Sequence, residues 1–136
     1  MNLLVVDGQG GGIGRALIER IRAQYPQITV YAVGANAIAT TAMIKAGATQ
    51  AATGENAVCV LAGRADVILG PVGIVLKNSM LGEITEKMAC AIGESRAQRI
   101  LIPVSRCSTS IAGVADVPLQ ALLDDAMRIL ARFVSV

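Results

Sequence analysis

The 136-residue chain has no histidine and no tryptophan, one phenylalanine and two tyrosines. Without imidazole there is neither a histidine general base nor a histidine-ligated metal, so a catalyst built from this sequence must work with carboxylate, thiol, hydroxyl or amine groups. Aromatic residues make up 2% of the chain, too few to stack the bases of a single nucleic-acid strand. Charge is sparse and balanced, 12 Lys and Arg against 10 Asp and Glu with no basic block, so neither nucleic acid nor a charged membrane surface is an expected partner. The three cysteines, Cys59, Cys90 and Cys107, are odd in number and far apart, with no CxxC pair and no zinc-ligand spacing. They read as reduced thiols, and no metal site is expected. No apolar run approaches the roughly 18 residues of a membrane span. Met1 to Val6 is apolar, but no basic residue precedes it and Asp7 ends it. It reads as a strand rather than a signal peptide, and a cytoplasmic location is expected.

What the chain does have is aliphatic residues: 54% of it is hydrophobic, enough for one core over residues 1–136 and not for two. Leu3 to Val6 is a continuous apolar run, the pattern of a strand covered on both faces. Ile13, Leu17, Ile18 and Ile21 then recur at helical spacing until Tyr25-Pro26. A second strand is expected over Ile28 to Val33, followed by a helix capped by Asn36 and ended by Gly47. A short third strand is expected at Ala48 to Ala52, a helix from near Gly54 to Gly63, and a fourth strand at Asp66 to Leu69, broken by Gly70-Pro71-Val72-Gly73. Two helical pieces separated at Gly82 are expected between Ile74 and Ser95, the second presenting Ile84, Met88, Ala91 and Ile92 on one face. Ile100 to Val104 is the fifth strand, and a closing amphipathic helix starts around Asp116 and Pro118. Alternation of this kind predicts an α/β, Rossmann-like three-layer domain: a parallel sheet of about five strands in the order 3-2-1-4-5, with helices on both faces. The alternative is a flavodoxin-like order, with strand three between strands one and four.

The strongest local signal is Asp7-Gly8-Gln9-Gly10-Gly11-Gly12-Ile13-Gly14, placed between a predicted strand and a predicted helix. Glycines there permit a tight turn and close approach of a ligand, while free N–H groups and the helix dipole favour a phosphate. Tight packing without a ligand is the alternative. The spacing Gly8-x-x-x-Gly12-x-Gly14 resembles the glycine loop of the short-chain dehydrogenase/reductase family, and Asp66 to Ile74 resembles that family's fourth strand and following turn. That resemblance implies a nucleotide-binding half, with NAD(P) as the leading ligand. Two departures separate it from reductase chemistry. The end of strand two reads Val33-Gly34-Ala35-Asn36, without the acidic residue that a dinucleotide fold places against ribose hydroxyls. Neither Tyr25 nor Tyr31 begins a Tyr-x-x-x-Lys pair.

Over its whole length the chain resembles an uncharacterised family of short bacterial proteins of unknown function. The residues that carry this are the glycine loop, Ala52 to Ala57, Gly70 to Leu76, Asn78 to Thr85, and Arg106-Cys107. The resemblance implies a bacterial cytoplasmic protein and no particular reaction.

In a parallel sheet the carboxyl ends of all strands share one rim, which is where open α/β sheets bind ligands. The expected ligand-binding residues on that rim are Gly8, Gln9, Gly10, Gly11, Gly12, Ile13, Gly14, Asn36, Thr53, Glu55, Asn56, Gly70, Pro71, Gly73 and Asn78. Asp7, Glu55, Arg106 and Cys107 are the catalytic candidates, with Glu83 in the same pocket. Each has a structural alternative: Asp7 binding loop N–H groups, Asn56 and Thr53 capping a helix, Glu83 favouring a helix start. Arg106 beside Cys107 would lower the thiol pKa and hold an anion, whereas a buried or loop cysteine is the competing reading. Ser79 lacks a nucleophile-elbow sequence. The function expected is binding of a nucleotide or another phosphorylated small molecule, as a sensor or accessory module. The alternatives are a small enzyme acting on an anionic metabolite through Cys107 and Arg106, or a structural homo-oligomer without ligand. Apolar stretches at Ile74-Val75-Leu76 and Met80-Leu81 also predict a homodimer or larger assembly.

Overall fold

The computed structural model describes residues 1–104, 108–114 and 116–134. Its first strand, β1 (Asn2–Asp7), is hydrogen-bonded on both sides and lies at the centre of a five-stranded parallel sheet. Leu3 and Val5 enter one core cluster, and Leu4 and Val6 enter the other on the opposite face. This explains why the strand reads as an unbroken apolar run: both parities of its side chains are covered.

The chain continues through α1 (Gly12–Gln24), β2 (Thr29–Gly34), α2 (Ala37–Ala46), β3 (Gln50–Thr53) and α3 (Glu55–Ala62). It then returns to the other side of β1 with β4 (Val67–Pro71), a 3-10 turn at Val72–Val75, α4 (Glu86–Glu94), β5 (Gln98–Ile102) and α5 (Leu119–Leu130). The strand order is 3-2-1-4-5, which excludes the flavodoxin-like alternative. Leu17, Ile18 and Ile21 of α1, Met43 of α2 and Leu123 and Leu130 of α5 cover one face. Val58 of α3 and Met88 and Ile92 of α4 cover the other. Asn36 caps α2 by accepting from the Ala39 N–H, and Gly47 ends it in the left-handed region. Among the described residues no helix is long and apolar enough to cross a membrane.

Three local expectations are corrected. β4 runs on through Gly70 and Pro71, because its pairing with β5 continues to Pro71 and Ile102 after its pairing with β1 has stopped at Leu69. β5 begins at Gln98 rather than Ile100, since an edge strand keeps one side free and tolerates the polar Gln98 and Arg99. The largest difference lies between the 3-10 turn and α4. Instead of two helices broken at Gly82, residues 76–85 form a strap of turns in which Asn78, Met80, Leu81 and Gly82 all have positive φ. Thr85 starts α4 by capping the Met88 N–H, so Ile84 is buried ahead of the helix rather than on its face. The apolar stretches behind the assembly argument are mostly used internally. Ile74 is in the core and Val75 and Met80 pack against it, leaving Leu81 exposed.

Candidate functional site

Asp7, Gly34, Thr53, Pro71 and Ile102 end the five parallel strands and mark the carboxyl rim. The glycine loop leaves β1 there and turns into α1, with the Gly11 N–H donating to the Gly8 carbonyl. Three of its glycines are accounted for by the fold. Gly11 has φ 72°, and a Cβ on it would lie 2.9 Å from Ala39 Cα. A Cβ on Gly14 would lie 2.6 Å from Met43 Sδ, and one on Gly8 would lie 2.7 Å from Met80 Sδ. Gly10 and Gly12 are different. Neither has a positive φ, and a Cβ on either would meet nothing within 4 Å. Their N–H groups donate to no other described residue, and both residues are exposed.

Asp7 is 4% exposed and is consumed by the loop. Its Oδ1 accepts from the Gly8 N–H at 2.7 Å and its Oδ2 from the Gly14 N–H at 2.8 Å, so it acts as an upstream cap on α1. Burial pushes its carboxyl pKa above the usual range; the N–H groups of Gly14, Gly8 and Ile13 oppose this, and the charge of Glu83 adds to it. The folded protein therefore holds a proton on Asp7 more readily than the unfolded chain does. The contribution of Asp7 to stability should grow as pH falls from neutral through the raised value, levelling off near the unfolded value of about 3.9. Urea unfolding of the wild type and Asp7→Asn at pH 7 and at about pH 4, near the unfolded value, measures this. The wild type should gain on the variant at the lower pH, and a constant or shrinking difference would refute the assignment.

The strap crosses above the loop and is fastened by Glu83. Glu83 Oε1 accepts from the Gln9 N–H at 2.5 Å, and Oε2 accepts from Asn36 Nδ2 at 2.6 Å. Asn36 is held in that orientation because its Oδ1 caps α2 and its Nδ2 also donates to the Gln9 carbonyl. Thr40 links the same group to the next strand: its hydroxyl donates to the Asn36 carbonyl and lies 2.7 Å from that of Thr53. Asp7, Gln9, Asn36, Thr53 and Glu83 thus gather at one place, joined by hydrogen bonds or neighbouring charge.

The other candidates do not join them by hydrogen bonds. Glu55 is half-buried in the first turn of α3, Asn56 is exposed beside it, and neither side chain bonds to another described residue. Gly70, Pro71 and Gly73 are buried supports, with the Gly73 carbonyl accepting from Ser79 Oγ. Ser79 is thereby a strap anchor. Asn78 lines a separate cleft with Lys77, Ser108 and Thr109. Arg106 and Cys107 lie outside the described residues. Sequence reasoning missed Thr40 and Met80. The Asn36-x-x-x-Thr40 spacing, one helical turn after the cap, was an available signal for Thr40; nothing marked Met80.

Among known proteins, one family model, described as a domain of unknown function (DUF3842), matches residues 2–135. No curated protein sequence matches the chain. Among solved structures, it is similar to a dodecameric FMN-dependent Ubix-like decarboxylase from Escherichia coli O157:H7. The two are 18% identical with a TM-score of 0.46, over 96% of this chain and 75% of that one.

Proposed function

Since the chain belongs to the DUF3842 family, whose function is unknown, we propose a role from the loop itself: the protein binds a nucleotide or another phosphorylated small molecule at the N-terminus of α1. The observation that carries this reading is the pair Gly10 and Gly12. Neither conformation nor internal packing requires glycine at these two positions, yet both present N–H groups that donate to no other described residue at the positive end of a 13-residue helix. A side chain at either position would keep a phosphate away from those donors. NAD(P) is the leading single ligand within this proposal, on the strength of the glycine spacing and the strand order.

The reading is of a binding module rather than a catalyst. Both carboxylates beside the loop already accept backbone or amide N–H groups, so their geometry serves to position the loop and the strap. A thermal-shift series with ADP, NAD+, NADP+ and sugar phosphates tests it. At a hundred times its Kd, a specific ligand should stabilise the fold by about 2.7 kcal/mol. That is a rise in Tm on the order of 10 °C for a chain of this size. No shift with any of these compounds at millimolar concentration would overturn the proposal.

A further inference from the structure

We propose that Glu83 is the specificity-determining residue of this site, selecting a ribose with free hydroxyls and rejecting one that carries a 2′-phosphate. This rests on the reading that the loop binds the phosphate of a nucleotide. In dinucleotide-binding sheets an acidic residue at the end of the second strand accepts hydrogen bonds from the ribose hydroxyls. Here that strand ends in Gly34-Ala35-Asn36, with no carboxylate. The structure supplies one through space. Glu83 reaches the same corner from the strap after β4, touching Asn36 on the β2 side and Gln9 on the β1 side. The two sides adjoin because Asp7 and Gly34 are register partners and the Ala35 N–H donates to the Asp7 carbonyl.

The chemistry of the carboxylate favours a diol. An ionised carboxylate offers about four lone-pair sites and no donor. The Gln9 N–H and Asn36 Nδ2 engage one site on each oxygen, which orients the group and leaves the remaining lone pairs for two hydroxyl donors. Asn36 cannot turn its amide to present an oxygen instead without losing the cap on α2. Among the described residues no cation is hydrogen-bonded or ion-paired to Glu83 or Asp7: the Arg15 guanidinium beyond the loop is paired with Glu19, and Asp7 adds a second carboxyl group. A 2′-phosphate would bring its charge against Glu83 and leave the carboxylate without its donors.

The test is calorimetric titration of NAD+, NADP+ and ADP into the wild type, Glu83→Gln and Glu83→Ala, with the folded state of each variant checked by its melting curve. The expected result is at least 30-fold preference of the wild type for NAD+ over NADP+, falling below about threefold in Glu83→Gln. 2′-Deoxy-ADP should bind the wild type about tenfold more weakly than ADP, a comparison that needs no variant and stands even if both variants fail to fold. Equal wild-type affinity for NAD+ and NADP+, or an unchanged ratio in folded Glu83→Gln, would overturn the role of Glu83 while leaving phosphate binding intact. Absence of binding by all three probes would overturn the loop reading and this inference together.

Discussion

Gly70→Ala should cost about 4 kcal/mol of folding stability and lower Tm by on the order of 15 °C. The cause is a contact between backbones. A Cβ on Gly70 would fall inside the contact distance of the Val6 carbonyl oxygen, and 3.0 Å from Ile74 Cδ1. Flexible side chains can move aside at modest cost, but Val6 belongs to the central strand, buried and flanked by β2 and β4. Relief would require β4 to part from β1 just above Leu69, where the rim begins. With a total stability of about 5–15 kcal/mol for such a domain, the loss should be plain in urea denaturation. Gly93→Ala, at a position in α4 where a Cβ meets nothing within 4 Å, is the control and should be neutral or stabilising by up to about 1 kcal/mol. A Gly70→Ala protein within 1 kcal/mol of the wild type would show that the approach of β4 to β1 is softer than the structure has it.

Gly12→Val should have the opposite profile, an intact fold with lost binding. Gly12 is the first residue of α1, exposed, with open space around its Cα, so a side chain costs no packing. Valine is also the better helix former by several tenths of a kcal/mol. The stability in urea should therefore stay within about 1 kcal/mol of the wild type. The ligand, by contrast, would meet two methyl groups where it needs the Gly12 N–H. Losing even one charge-assisted hydrogen bond of roughly 1.5–3 kcal/mol, with a steric clash added, gives a fall in affinity of about 100-fold or more. Unchanged affinity for the ligand found in the thermal-shift series would place the site elsewhere on the rim. Unfolding of the variant would show that Gly12 has a structural role that its open surroundings do not reveal.

The contrast between these two glycines shows how much of the site was legible beforehand. The loop stood out in the sequence as a cluster of glycines between a strand and a helix, but composition treats the members alike. Only their surroundings separate Gly8, Gly11 and Gly14, needed for close approach or a left-handed turn, from Gly10 and Gly12, which the fold leaves free. Asp7 was legible as a rim carboxylate with a loop-binding alternative, and that alternative is what the hydrogen bonds show. Asn36 was legible as a cap, because its preference for that position is local. Its second task, holding Gln9 and Glu83, was not.

The strand order, both covered faces of the sheet, most helix boundaries and the position of the glycine loop were determined by the sequence. Each follows from patterns of period two or 3.6 and from caps and breakers acting within a few residues. The strap was decided by tertiary structure alone. Met80 and Leu81 have no intrinsic preference for positive φ, so nothing local predicts that the chain turns there rather than forming a helix. Glu83 reaches its partner Gln9 across 74 positions of sequence, and a side chain's partner at that separation is set by where the sheet brings the ends of β1, β2 and β4. Local free-energy preferences write the elements; a contact between distant residues exists only once those elements have packed and the backbone donors around it have no other acceptor.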